Sequence, residues 1–186
     1  TRSRLIEPVS KIVTENSWSF DNLTQKDTNY LTHCYHRYPA KFIPQLARRL
    51  ILENSQERDI ICDPFYGSGS TILESILHNR VALGTDINPI AHMITLAKTT
   101  PLDPSKISNT ISFLHYELKH SNMTTDYDIP QELSKWFDDN SYYILNHLLS
   151  KIKQIKPKNL QLFFLCAFIV VVSQAPTYSL FMNVDG

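Results

Sequence analysis

Two short apolar runs set the frame for the rest of this chain. Ile60-Ile61-Cys62 leads into Asp63-Pro64, and Val81-Ala82-Leu83 leads into Gly84-Thr85-Asp86, so each run closes in turn residues with a carboxylate at its end. Short apolar runs bounded in this way predict buried strands. Between them, Ile72, Leu73, Ile76 and Leu77 fall on one face of a helix that opens near Thr71,. An earlier helical pattern carries Phe42, Ile43, Leu46, Ala47, Leu50 and Ile51, with Arg48 and Arg49 among them. A later one runs from Pro89 to Lys98, and proline suits the first turn of a helix,. Helix and strand in alternation predict an α/β fold on a parallel sheet.

The flanking sequence has a different texture. Residues 1–32 are polar and mixed, with Trp18 and Phe20 as isolated anchors, and read as a loose lead-in arm,. After the loop Pro101-Leu102-Asp103-Pro104, a helix is expected from Ser105 to about His120, then a polar linker over 121–130. Glu132 to Ile155 reads as one or two helices, with Trp136, Phe137, Tyr142 and Tyr143 in their core. The apolar stretch Leu162–Val172 is too short for a bilayer, which needs roughly 20 residues, and reads as a core element,. The expected organisation is an arm over 1–32, an α/β portion over 33–104 and a helical segment over 105–186.

Composition narrows the function mainly by exclusion. At 186 residues, 42% hydrophobic and 19% charged, the chain can form one domain or a large part of one,. Lys+Arg and Asp+Glu both number 18, so no basic excess marks a dedicated nucleic-acid module,. Any DNA contact must come from a local patch or from another segment. Cys34, Cys62 and Cys166 fit no metal spacing and read as free, buried thiols of a cytoplasmic protein,. The histidines show no ligand spacing either. No signal peptide or membrane span is visible, and a start at Thr1 rather than Met reads as a processed or truncated chain,.

The chemistry concentrates where the first run ends. Ligands of open α/β sheets sit at the carboxyl ends of the strands, and Asp63-Pro64-Phe65-Tyr66-Gly67-Ser68-Gly69 lies there. Its glycines allow a sharp turn and close approach of backbone to a ligand. The next helix aims free amides and partial positive charge at the same spot. A phosphate-binding P-loop would need a Lys after the second glycine, and a dinucleotide fingerprint a third glycine where Ile72 stands,. Asp63 is placed to accept from an ammonium group or hydroxyls, and Asp86 sits about where this architecture holds ribose hydroxyls. Adenosine, ribose, ammonium and carboxylate together describe S-adenosylmethionine.

Three segments carry a resemblance. Asp63-Pro64-Phe65-Tyr66-Gly67-Ser68-Gly69-Ser70-Thr71 resembles motif I, Asp-Pro-Phe-x-Gly-Ser-Gly-Thr-Thr, of bacterial and archaeal DNA methyltransferases that modify adenine N6 or cytosine N4. Gly84-Thr85-Asp86-Ile87-Asn88-Pro89 is similar to motif II of that family, and His36-Arg37-Tyr38-Pro39-Ala40-Lys41-Phe42-Ile43-Pro44 to motif X. The resemblance implies a partial Rossmann-like methyltransferase fold followed by a helical segment, with S-adenosylmethionine as cofactor and DNA as partner. It implies that Tyr38, Pro39, Lys41 and Phe42 close over the methionine end. Asp63, Pro64, Phe65, Gly67, Ser68, Gly69 and Thr71 would form the cofactor turn, and Asp86, Ile87 and Asn88 would hold the nucleoside. Several of these have plainer roles: Phe65 packing under the turn, Ser68 and Thr71 capping the next helix, Lys41 in solvent, His36 in a local hydrogen bond.

One family element is absent. The target-contacting loop, Asp/Asn/Ser-Pro-Pro-aromatic, needs adjacent prolines, and none of the ten prolines here adjoins another. No catalytic residue is therefore assigned in this chain. The helical stretch resembles an insert that some members carry before the catalytic loop, so a catalytic half is expected after Gly186, in the same gene or as a second subunit. A non-catalytic remnant and a methyltransferase acting on RNA amino groups stay open as alternatives.

Overall fold

The computed structural model describes residues 16–35, 41–120 and 129–174. In chain order come a 3-10 turn at Asn16–Trp18, helix α1 (Gln25–Thr28), a 3-10 turn at Leu31–Cys34 and α2 (Pro44–Asn54). Strand β1 (Ile60–Asp63), α3 (Ser70–Leu77), β2 (Val81–Gly84) and α4 (Pro89–Thr99) form the α/β unit. Three helices complete the described chain: α5 (Pro104–His120), α6 (Asp139–Ile152) and α7 (Lys158–Gln174). The helix and strand order matches the apolar pattern of the sequence, with small differences at the ends. α2 starts at Pro44, so Phe42 and Ile43 precede it rather than join its face. The linker expected over 121–130 lies almost entirely outside the described residues.

Local chemistry explains where these elements begin. The Asn88 side chain accepts from the Ile90 amide at 2.9 Å and Pro89 takes the first helical position, which starts α4 sharply,. Asp138 does the same for α6, accepting from the Ser141 amide at 2.9 Å. In the lead-in, Thr24 and Asp27 exchange side-chain and backbone hydrogen bonds in a capping box around α1,. The lead-in is more ordered than its composition suggests. The Arg49 guanidinium lies 3.9 Å from the Trp18 ring centroid and donates to the Ser17 carbonyl at 2.6 Å, fastening this stretch to α2,.

β1 and β2 pair in parallel with Ile60 opposite Val81, Ile61 opposite Ala82, Cys62 opposite Leu83 and Asp63 opposite Gly84. Side chains alternate between the faces of a strand, and the two faces here differ. Ala82 packs with Ile72, Ala91 and Tyr66 in a buried cluster. On the other face Ile60 is 65% exposed, Val81 50% and Leu83 53%, with Cys62 exposed beside them. Among the described residues the expected buried strands are thus covered on one side only, and two of the three cysteines, Cys34 and Cys62, are exposed rather than buried. Strand pattern reports a side chain's preference for burial, whereas burial itself needs a second layer, and α3 and α4 supply only one.

The helical segment closes on itself. Leu114, Ile152, Ile155, Leu160 and Phe164 form its core, and α7 returns to α4 through Ile94, Ala97 and Cys166. Glu117 and Lys151 pair across α5 and α6. Trp136 does not join this core: it sits in the turn before α6 and is 62% exposed, because α6 starts only at Asp139. Among the described residues no helix is long and apolar enough to cross a membrane.

Candidate cofactor site

The turn between β1 and α3 is built from two left-handed glycines, Gly67 at φ 52° and Gly69 at φ 73°. Gly69 is also forced by space: a Cβ there would stand 2.5 Å from Thr95 Oγ1,. The Gly67 amide donates to Asp86 Oδ2 at 2.8 Å, and the Asn88 amide to Asp86 Oδ1 at 2.8 Å. One carboxylate at the end of β2 therefore fixes both the glycine turn and the start of α4. Asp63 Oδ1 accepts from the Phe65 amide at 3.1 Å, and the Gly69 amide donates to the Tyr66 carbonyl at 2.7 Å.

An open cavity of about 280 Å³ lies at this end of the sheet, lined by Lys41, Phe42, Asp63, Phe65, Tyr66, Gly67, Ser68, Ser70, Thr71 and Asp86. Most of the residues implied by the resemblance meet here, although they come from the segment before α2, the β1 turn, α3 and the end of β2. Tyr38, Pro39 and His36 lie outside the described residues. Pro64, Gly69, Ile87 and Asn88 do not line the cavity: Gly69 is buried against Thr95, Asn88 caps α4, and Ile87 is 97% exposed. Phe65 does not pack under the turn, because its ring is 82% exposed at the rim of the cavity.

Two local roles differ from expectation. α3 begins at Ser70 with Gly69 as its N-cap and no side-chain cap bond, so neither Ser68 nor Thr71 caps it. The hydroxyls of Ser68 and Ser70, both buried and both lining the cavity, find no partner among the described residues. Lys41 is half-buried rather than solvated: its ammonium donates to the His33 carbonyl at 3.1 Å and to Asn29 Oδ1 at 3.3 Å, and burial lowers its pKa. Burial, with the Asp86 charge nearby, raises the Tyr66 phenol, whose oxygen lies 2.8 Å from His92 Nδ1.

Beneath the turn lies a polar layer that no short-range pattern marks. Glu74 and His33 are both fully buried, and Glu74 Oε1 accepts from Tyr30 Oη at 2.5 Å and from His33 Nε2 at 2.8 Å. Burial alone would raise the Glu74 carboxyl, yet the hydrogen bonds from His33 and Tyr30 hold it below its ordinary value,. Burial lowers the His33 pKa and raises that of Tyr30, so this is a carboxylate held by neutral donors. Lys98 and Thr95 reach the turn from α4. The only available signal was their place on the apolar side of that helix. Among the described residues no group of His, Cys, Asp and Glu side chains could hold a metal ion.

A glycine turn at the carboxyl end of a parallel strand, with carboxylates at the ends of both strands, marks an α/β protein, a class whose ligands gather at that end of the sheet,. Residues 6–97 match the model of the DNA methylase family that modifies N6 and N4 amino groups. The chain is 35% identical over 175 residues to the Type II methyltransferase M.MvaI of Kocuria varians, covering 88% of this chain and 38% of that protein. It is 29% identical over 132 residues to the Type II methyltransferase M.MjaII of Methanocaldococcus jannaschii, covering 69% of this chain and 25% of that one. A tRNA (guanine(10)-N2)-dimethyltransferase of the same archaeon is 30% identical over 89 residues, 43% of this chain and 25% of its own length. No solved structure gives a significant match. The chain belongs to the amino-group DNA methyltransferase family, and it spans well under half the length of these relatives.

Proposed function

We propose that this chain is the S-adenosylmethionine-binding portion of a cytoplasmic DNA methyltransferase that acts on adenine N6 or cytosine N4. Its arm, α/β portion and helical segment would then serve a catalytic loop carried outside these residues. The observation that carries the cofactor reading is the pair of buried, unpartnered hydroxyls, Ser68 Oγ and Ser70 Oγ, in a cavity that also presents two carboxylates. Buried hydroxyls without a protein partner are costly unless a ligand or an ordered water completes them. They and the start of α3 suit a carboxylate, Asp63 suits the ammonium group, and Asp86 suits the ribose. Asp86 already accepts two amides, but each carboxylate oxygen has a second acceptor position for a hydroxyl,. The exposed Phe65 ring gives an apolar wall at the rim of the cavity.

When bound, the cofactor supplies an electrophilic methyl group on a sulfonium. The residues of this chain bind and orient it, and aiming the target nitrogen at that methyl falls to the loop elsewhere. The bare face of Ile60, Val81 and Leu83 supports an origin for that loop in further layers of structure, from the same gene or a second subunit,. RNA as the substrate is the second reading, favoured by the likeness to the tRNA enzyme. It has less support, because M.MvaI matches twice as much of the chain.

Calorimetry tests the cofactor reading. The chain binds S-adenosylmethionine, and Asp86→Ala weakens binding about 10- to 100-fold through loss of hydrogen bonds to a charged group. Absence of binding by the wild-type chain would overturn the reading. Robust methylation of DNA by this chain alone would overturn the placement of the loop elsewhere.

A further inference from the structure

Lys98 is an unusual residue for a helix interior. Lysine is almost never fully buried without a charged partner, yet Lys98 is only 4% exposed, on the face of α4 turned to the glycine turn. Its ammonium donates to the Ser68 carbonyl at 2.6 Å. Thr95, one helical turn earlier on the same face, donates its hydroxyl to the Gly67 carbonyl at 3.3 Å,. α4 thus grips two consecutive carbonyls of the turn from behind, and neither side chain lines the cavity. In a trans peptide the N–H points opposite to the C=O. Holding the Gly67 carbonyl toward α4 therefore turns the Ser68 amide the other way.

We infer that Lys98 is a positioning residue for the carboxylate end of the methyl donor: through Ser68 it fixes the turn, and its charge makes the turn electropositive. The inference rests on the cofactor reading proposed above. It explains why a cation is kept in a layer that also holds Lys41, where apolar packing would be cheaper. The unpartnered Ser68 and Ser70 hydroxyls sit on the turn that Lys98 holds, so a ligand carboxylate there would meet donors and a buried positive charge together.

The groups facing Lys98 are Glu74 on α3, Cys34 and His33 on the 3-10 turn, Lys41 before α2 and Cys166 on α7. Burial first, and Lys41 second, bring the Lys98 pKa down to about 8. Charge at this position is accordingly lost just above neutral pH, while an uncharged amine can still donate to Ser68. Carboxylate binding should then weaken as pH rises through that range, and a purely structural lysine would not produce that effect.

Three probes separate these roles by calorimetry: S-adenosylmethionine, its deaminated thioether analogue that keeps the carboxylate without the ammonium, and methylthioadenosine, which has neither. The deaminated analogue removes the ligand's own amine from the titration. With Lys98→Met, a thermal melt confirming the fold, both carboxylate-bearing probes are expected to bind about 10- to 100-fold more weakly, and methylthioadenosine within about twofold of wild type. In the wild type, affinity for the deaminated analogue should fall from about pH 7 to about pH 9.5, and that for methylthioadenosine stay level. Lys98→Met should abolish the slope. Unchanged affinity in Lys98→Met, equal loss of all three probes, or a slope that survives the substitution and so belongs to another group such as Lys41 would each overturn the inference. If Lys98→Met does not fold, the wild-type series decides, and equal pH dependence of both analogues overturns it. Failure of wild type to bind any probe defeats the cofactor reading itself, a separate result.

Discussion

The α/β portion and the helical segment bury their interiors with different materials. Around the glycine turn the buried side chains include His33, Ser68, Ser70, Glu74, Ser75, Thr95 and Lys98, whereas α5 to α7 bury Gln161 as their one polar side chain among the described residues. Gln161 is satisfied by the Ile152 and Lys153 carbonyls, and the rest of that core is aliphatic and aromatic. Apolar burial is the more economical way to hold helices together. A polar interior costs desolvation and must be satisfied bond by bond. The α/β portion accepts that cost next to the glycine turn, the loop proposed above to meet a ligand. The helical segment has no such loop among its described residues.

If that contrast is sound, removing a member of each interior should have different consequences. Glu74→Ala leaves the buried His33 and the half-buried Tyr30 without their acceptor, so at about 1–3 kcal/mol for each neutral donor a loss of about 2–6 kcal/mol in denaturant unfolding is expected,. Affinity for S-adenosylmethionine should fall with it, since α3 carries one side of the turn. Ile152→Ala, at 2% exposure in the helical core, should cost about 2–5 kcal/mol,. Here affinity should stay within about twofold of wild type. Equal damage to binding by both would erase the distinction between the two regions.

A smaller effect comes from pH. Lys98 is charged in the unfolded chain up to its ordinary pKa of 10.5 but loses its proton near 8 when folded. Between those values the unfolded state binds more protons, so folding stability contributed by this group rises with pH. Below about 8 both states are protonated and the burial penalty applies in full. Wild type measured against Lys98→Met should therefore gain on the order of 1–3 kcal/mol across that window, while cofactor affinity moves the opposite way. A falling difference would mean that Lys98 is not held as a buried cation.

The least effect is expected on the bare sheet face. Leu83→Thr, at a side chain more than half exposed, should change the stability of this chain by less than about 0.5 kcal/mol,, and it should raise solubility by reducing an apolar patch. A loss of several kcal/mol would show that the face is already covered.

Much of this was legible from neighbouring residues. The strands, the glycine turn and the caps at Asn88 and Asp138 depend on chemistry within a few positions, so pattern finds them. Trp136 shows the limit: its helical spacing was real, yet α6 starts beyond it and leaves the ring exposed. Ser68 and Thr71 had the side chains of caps, but the left-handed Gly69 took that position. The Tyr30–Glu74 bond spans 44 residues and the Lys98–Ser68 bond 30, separations at which spacing carries no information.

Short-range stereochemistry therefore sets which segments of this chain are helix, strand and turn, and it brings Asp63 and the two glycines to the end of a strand, because backbone sterics and apolar periodicity act over a few residues. Tertiary packing alone settles which side chains are buried. It leaves Ile60 and Leu83 open on one sheet face, and it sets Asp86 on the Gly67 amide and Lys98 on the Ser68 carbonyl. Burial and charge pairing depend on which elements meet in space, and the spacing of residues along the chain does not record that.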